Sequence, residues 1–563
     1  MNTNLVSGAV AASAGLLLST AAQASTACEA LAGARLTDTV ITAAHTVPAG
    51  TFTPPAGTAQ ADLPEFCRVA GEVHNHATSR IRFEVWLPTW AANLRYVQVG
   101  NGGFAGVIQY GAMAERLREG YATASTDDGT TAAPGVPASQ TLTFLGDFER
   151  LYDFKGRAVT LTTGIAKALF NAFYGASPQY SYFTGCSSGG LEALAVAQRI
   201  GDQFDGVSAG APANNSAGLF TQAIWTYKNY RVLSTKLQVI HDAAVAACDT
   251  VGDGVADGVI GDPEHCRFDP KVLACKAGDR PDCLTDEQVV AARRIYQGPI
   301  DPRTGTKTGE QYAPGMPRGS ELGWSVSQPQ ATFASQPWYG MVLHNTLTLD
   351  FDTFDFGGDV TRALLLTRPY GAQVTNPDLS ALRNSGGKLM MWAGWNDPLW
   401  SEQNIVDYYK AVVRRTGQSH PRGERWDRHP HGSPMERTRQ YARLFMAPGV
   451  GHCGGGEGPN AFDTFAPLVK WVEAGQAPES IPATKPSRGG WTIRVTGAFG
   501  RWRSGAPTKP VGPPSAAIIR SKRSAALPSS SFWRARARAR SRSGASPARA
   551  IISATTASVR SST

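Results

Sequence analysis

The sequence predicts an α/β fold, a mostly parallel sheet with helices on both faces, interrupted by a large inserted domain. Three observations carry this expectation. Short apolar strands alternate with helical stretches from about residue 81 to 209, and again from about 388 to 474. That alternation is the pattern of parallel strands joined by crossover helices. A glycine turn, Gly185-Cys186-Ser187-Ser188-Gly189-Gly190, stands between one such strand and the next helix. Between the two stretches, residues 214–376 loosen into loops, glycines, prolines and four of the eight cysteines. The boundaries that follow are 1–24, 25–213, 214–376, 377–486 and 487–563.

Residues 1–24 open polar, run apolar from Ala9 to Ala22 and leave through Ala22-Gln23-Ala24. This reads as a secretory signal cleaved after Ala24, although no Lys or Arg precedes the apolar run. The run, broken by Ser and Gly, is too short to span a bilayer well. Ile81 to Trp86 alternates as a strand does, and Tyr96 to Val99 forms another, running into Gly100-Asn101-Gly102-Gly103. Met113 to Gly120 reads as a short helix and Tyr121 to Ser125 as a strand. Asp147 to Tyr174 has helical period and stops before Gly175. Tyr180 to Phe183 is a strand, Leu191 to Ile200 a helix, and Val207 to Ala209 a small strand. After the insert come the strand Lys388 to Trp392, a helix near Glu402 to Arg414, the strand Leu444 to Met446 and a closing helix, Phe462 to Ala474.

With 563 residues, 42% of them hydrophobic, and with 60 glycines and 36 prolines, the chain suits an enzyme with long loops. The formal charge of +9 is misleading as a nucleic-acid signal. Thirteen Lys or Arg lie in residues 501–563, which hold no Asp or Glu, so the rest of the chain is mildly acidic. The tail, 487–563, is rich in Arg, Ser, Ala and Pro and is expected to be disordered. Neither a nucleic-acid partner nor a membrane span is expected, and oligomeric state is not legible. An even set of eight cysteines with no C-x-x-C pair favours disulfides over a zinc ribbon. A periplasmic or extracellular location is expected, and 105 pairings remain open.

Gly185-x-Ser187-x-Gly189, between a strand and a helix, has the spacing of a nucleophile elbow. Serine placed on so tight a turn exposes its Oγ, and the helix behind it directs N–H groups at developing negative charge. Gly451-His452-Cys453 follows the strand Leu444 to Met446, where the last member of the order Ser, Asp or Glu, His belongs. Cys186 precedes the serine and Cys453 follows the histidine. A bond between them would hold Ser187 and His452 side by side. His74, His76, His429 and His431 lack such support and read as loop residues. Asp397, after the strand Lys388 to Trp392, is placed to orient His452. Asp407 and Asp463 lie inside helical patterns and are poorer candidates. Oxyanion donors are the Ser188 N–H and one from Gly102-Gly103, with Gly103 preferred. In the insert, Asp249, Asp253, Asp257 and Gly258 form an acidic, glycine-rich loop suited to calcium, against the alternative of an Asx-turn loop that binds nothing.

With these motifs in place the chain resembles the tannase and feruloyl esterase family, which includes mono-hydroxyethyl terephthalate hydrolases. The likeness covers roughly Cys28 to Pro478. It rests on Val99 to Gly106, Gly120 to Asp127, Phe183 to Gly190 and Pro448 to Cys453. The resemblance implies an α/β-hydrolase domain, a lid over the active site and a structural calcium in the lid, with no organic cofactor. It implies the pairs Cys28–Cys67, Cys186–Cys453, Cys248–Cys266 and Cys275–Cys283. It also implies calcium ligands from the side chains of Asp253 and Asp257 and the backbone oxygens of Val255 and Val259. Two departures stand out: Asp249 sits four rather than three residues before Asp253, and the basic tail replaces an ordered, cysteine-containing C-terminus. The function implied is a secreted serine esterase acting on esters of aromatic, phenolic acids through an acyl-enzyme on Ser187. Feruloyl esters come first, with gallate esters and terephthalate monoesters as alternatives. Trp225, Trp324, Phe333, Trp338 and Tyr339 are candidates to stack on the acid, although core packing is the more ordinary role for most of them. A secreted binding protein on an inactive hydrolase scaffold is the reading from another class.

Overall fold

The computed structural model describes residues 27–90, 93–104, 106–131, 138–304, 311–418, 432–485, 493–496 and 518–521. The signal reading of 1–24, His429, His431 and most of the 487–563 tail lie outside the described residues. All described elements fall within the unit Met1–Lys522.

The strands in chain order are β1 (Thr39–Val47), β2 (Gly50–Phe52), β3 (Gln60–Leu63), β4 (Phe66–Val73), β5 (Ile81–Pro88), β6 (Arg95–Val99) and β7 (Ala122–Thr126). There follow β8 (Tyr180–Cys186), β9 (Gly206–Gly210), β10 (Lys388–Gly394), β11 (Ala442–Ala447), β12 (Ala461–Phe462), β13 (Pro482–Thr484), β14 (Ile493–Thr496) and β15 (Ile518–Ser521). Nine of them make the central sheet, in the order β1-β4-β5-β7-β6-β8-β9-β10-β11. From β7 to β11 every neighbouring pair is parallel, whereas β1, β4 and β5 run antiparallel along one edge. This is the α/β-hydrolase arrangement that the alternation and the elbow predict.

Side chains alternate across a strand, so neighbouring residues feed opposite cores. Phe183, Met391 and Leu444 enter one apolar cluster with the helices Ala158–Tyr174, Ser188–Arg199 and Gln403–Gln418. Tyr182, Met390 and Phe445 enter the other, with the helices Tyr110–Arg118 and Phe465–Ala474. Both faces are covered, which is why these strands read as nearly continuous apolar runs.

Two differences from the sequence expectation have clear causes. Strands β1 and β4 precede the first strand read from the pattern. In β4 the alternation is masked by Arg68, which is buried because its Nε donates to Glu84 Oε2 on β5 at 2.9 Å. The stretch Asp147 to Tyr174 is not one helix. A π-turn at Asp153–Arg157 separates Phe148–Tyr152 from Ala158–Tyr174, with Gly156 at φ 115°. A Cβ on Gly156 would lie 2.8 Å from Ala195 Cβ, so the glycine lets this kink close on the helix behind the elbow.

The insert leaves after β9 and returns before β10. It contributes the helices Ser216–Tyr230, Leu237–Cys248, Asp286–Gln297, Gln336–His344 and Gly358–Thr367. Leu233, Ile240, Ile295 and Trp324 form a core of its own. A second cluster, with Phe220, Trp338 and Tyr339, takes in Phe144, Leu145 and Phe154 from the preceding part of the chain. In the tail, β14 and β15 extend β12 and β13 into a four-stranded antiparallel sheet. Among the described residues no helix is long and apolar enough to cross a membrane.

Candidate active site

Strand β8 ends in the glycine turn, and the helix Ser188–Arg199 starts at once. Ser187 takes φ 64° and ψ −119°, a conformation that costs a non-glycine residue about 1–3 kcal/mol. The surroundings enforce it. Ser187 N donates to Gly210 O at 3.0 Å, and Ser187 O accepts from Leu191 N and Ala213 N. The glycines are there for space. A Cβ on Gly185 would meet Gly189 at 2.6 Å, one on Gly189 would meet Asn101 O at 2.6 Å, and one on Gly190 would meet Gly210 O at 2.1 Å.

His452 follows β11. Its Nδ1 lies 2.6 Å from Asp397 Oδ2, and Asp397 is fully buried after β10. The second carboxylate oxygen of Asp397 accepts from Leu399 N at 2.8 Å. Trp400 sets its ring edge-on to the imidazole at 4.9 Å between centroids. All four disulfides are those the resemblance implies. Cys186–Cys453 joins the elbow to the histidine loop with Cα atoms 6.0 Å apart, across 267 residues of chain. In the chain-entropy view such a crosslink stabilises by about 5 kcal/mol. It also ties the neighbours Ser187 and His452 together. No Ser187 Oγ to His452 hydrogen bond is formed among the described residues. Such contacts are commonly long before substrate engages.

The glycine loop after β6 is pinned to the elbow. Gly100 N donates to Thr184 O, Gly189 N donates to Asn101 O at 2.8 Å, and Ser188 Oγ donates to Gly103 O. Asn101 N reaches the buried Glu192 at 3.0 Å, and Asn101 Nδ2 donates to Thr126 O at 2.8 Å. Space beside Gly102 and Gly103 is open, with nothing within 4 Å of an added Cβ. Beneath the loop, burial raises the Glu192 carboxyl to about 7 and holds Asp128 well above the usual carboxylate range. Burial likewise lowers Lys155 to about 7.

Of the residues singled out in the sequence, Ser187, Asp397, His452, Ser188 and Gly103 come together at the ends of the parallel strands. Asp407 faces outward on the helix Gln403–Gln418, and Asp463 caps Phe465–Ala474 through Phe465 N. The aromatic candidates divide sharply. Trp324, Trp338 and Tyr339 are fully buried core, and Trp225 donates to Arg294 O. Phe333 is 57% exposed and lies 5.6 Å from Phe104, the residue after Gly103. Phe104 carries no signal of its own in the sequence beyond its place beside Gly102 and Gly103. Glu402, fully buried beside Asp397 and His452, was not foreseen either.

In the acidic loop, Asp249 Oδ1 accepts from the backbone N–H groups of Asp257, Gly258 and Val259. Asp253 and Asp257 are each raised by burial, and repulsion among the loop's carboxylates adds to it. Asp253 Oδ2 is buried with no protein partner. An orphaned carboxylate oxygen in a crowded acidic loop fits a hard cation.

The chain is also similar to known proteins. The family model described as Tannase and feruloyl esterase matches residues 67–546, running beyond the span that carries the motifs. An uncharacterized esterase of Xanthomonas campestris pv. campestris is 37% identical over 514 residues, covering 84% of this chain and 86% of the relative. A probable feruloyl esterase B-2 of Aspergillus terreus is 32% identical over 459 residues, covering 77% and 81%. The crystal structure of feruloyl esterase B from Aspergillus oryzae superposes with a TM-score of 0.71 at 28% identity, covering 84% of this chain and 95% of that one.

Proposed function

The chain belongs to the tannase and feruloyl esterase family and is a carboxylic ester hydrolase, and from that premise we propose that it hydrolyses esters of aromatic, phenolic acids through an acyl-enzyme on Ser187. The observation that carries the mechanism is the disulfide Cys186–Cys453, which brings the elbow to a histidine already bonded to a buried aspartate. His452 takes the Ser187 proton as Oγ attacks the ester carbonyl. Asp397 holds the Nδ1 proton in place and stabilises the imidazolium without itself becoming protonated. The N–H groups of Ser188 and Gly103 receive the oxyanion. The alcohol leaves with the proton from His452, and a water activated by the same imidazole releases the acid.

An aromatic acyl group is favoured because Phe104 stands next to Gly103 and carries a shell of Phe144, Phe154, Phe220 and the exposed Phe333. Feruloyl esters come first, with gallate esters and terephthalate monoesters as the alternatives. Secretion to an oxidising compartment is supported by four disulfides and by the N-terminal pattern. The acidic loop is assigned to a structural calcium, held by Asp253 and Asp257 side chains with the backbone oxygens of Val255 and Val259. Asp249 adds charge and shapes that loop. Bound there, the ion would neutralise the crowded carboxylates and stiffen the insert.

The test is hydrolysis of methyl ferulate, methyl gallate and mono-hydroxyethyl terephthalate by purified protein, beside Ser187→Ala. Turnover of the ferulate that disappears in the variant is expected. Turnover that survives the substitution refutes the mechanism, and preference for another ester reassigns the substrate.

A further inference from the structure

Two carboxyl groups, not one, stand behind His452. Glu402 begins the turn into the helix Gln403–Gln418, five residues after Asp397, and is fully buried. One ligating atom from each of Asp397, Glu402 and His452 lies within 4.8 Å of the other two. Glu402 Oε1 accepts from Trp400 Nε1 at 3.1 Å, and Trp400 is the residue whose ring packs on the imidazole. Asp397 spends one oxygen on His452 and the other on Leu399 N. The titratable groups facing Glu402 are thus Asp397 and, behind it, His452.

We propose that Glu402 is a positioning residue of the triad: it stays protonated beside Asp397, donates to that carboxylate, and so fixes its orientation and moderates the basicity it lends to His452. Two adjacent, fully buried carboxyls repel one another when both are ionised, so one of them keeps its proton. Asp397 is the one bonded to the histidine, so the proton resides on Glu402. Burial and the Asp397 charge both hold the Glu402 carboxyl well above the usual carboxylate range. The alternative role, ligation of a cation by the three groups, would take the Asp397 oxygen that already holds the imidazole. The proposal rests on the triad assignment given above.

The experiment is the pH dependence of kcat/KM on methyl ferulate for the wild type, Glu402→Gln and Glu402→Ala, with Ser187→Ala alongside. Glutamine is permanently neutral and keeps a donor. It should retain kcat to within about threefold and leave the acid limb, which reports His452, where it is. Alanine removes the donor, leaving the Asp397 charge unmoderated. It should lower kcat about tenfold or more, the loss typical of a hydrogen bond to a charged group, and move the acid limb to higher pH. A downward shift of the limb in Glu402→Gln would mean that Glu402 is ionised, which overturns the proposal. So would an unmoved limb and intact kcat in Glu402→Ala, since a merely structural role changes stability alone. If the alanine variant does not fold, the Glu402→Gln limb and the low-field proton resonance of His452 Nδ1–H decide, both expected to match the wild type. Full activity in Ser187→Ala would instead defeat the triad itself, so the two failures are distinguishable.

Discussion

Ser187, Asp397 and His452 could be put forward from sequence because each follows a strand in the order that hydrolases use, and because the two cysteines flank the serine and the histidine. Glu402 was not, since a glutamate at the start of a helix is ordinary and only burial reveals its partner. The aromatic residues teach the same lesson in reverse: Trp324 and Phe333 look alike in sequence, and packing alone separates core from surface. Asp397→Asn should keep the fold but lower kcat on the order of 10⁴-fold, because the wrong imidazole tautomer is then stabilised. This is measured by steady-state kinetics with circular dichroism as the fold control. Phe333→Ala should raise KM for methyl ferulate several-fold, about the 1 kcal/mol of a partly exposed aromatic contact, while sparing kcat. Equal loss on an aliphatic ester such as ethyl acetate would dismiss the stacking role.

The parallel strands, the elbow and the glycine loop were legible as elements, since apolar runs ending in glycines are strong local signals. The kink at Gly156 and the strand β4 were not, because both depend on partners distant in sequence, Ala195 and Glu84. The same holds for the support under the glycine loop after β6, where Glu192 on the elbow helix accepts from Asn101 N. Its carboxyl titrates near 4.5 in the unfolded chain and is raised to about 7 when folded. Between those values the native state keeps a proton that the unfolded state has lost, so this group makes stability fall as pH rises through that window. Lys155, lowered to about 7, acts in the opposite sense above it. Glu192→Gln should therefore flatten the Tm profile between about pH 4.5 and 7, measured by differential scanning calorimetry. An unchanged slope would place the titration elsewhere.

The insert supplies both an aromatic surface next to the glycine loop after β6 and an acidic loop whose Val259 packs beside Gly449, three residues before His452. In the sequence the insert shows only as a loosening of pattern, and its packing does not show at all, since the cluster with Phe144 and Phe154 joins segments far apart in sequence. If the acidic loop holds calcium, EDTA should lower Tm by several degrees, added calcium should restore it, and Asp253→Asn should be insensitive to both. A Tm that ignores EDTA would leave the loop to its Asx turns.

The central claim is that Ser187 is a nucleophile activated by His452 within an intact hydrolase. The most direct measurement is intact-mass and peptide mass spectrometry after exposure to a serine-directed phosphonate, on the wild type and on His452→Ala. A single adduct on the peptide bearing Ser187 is expected, formed far more slowly without His452. Folded protein that takes no label, or takes it at another serine, would contradict it.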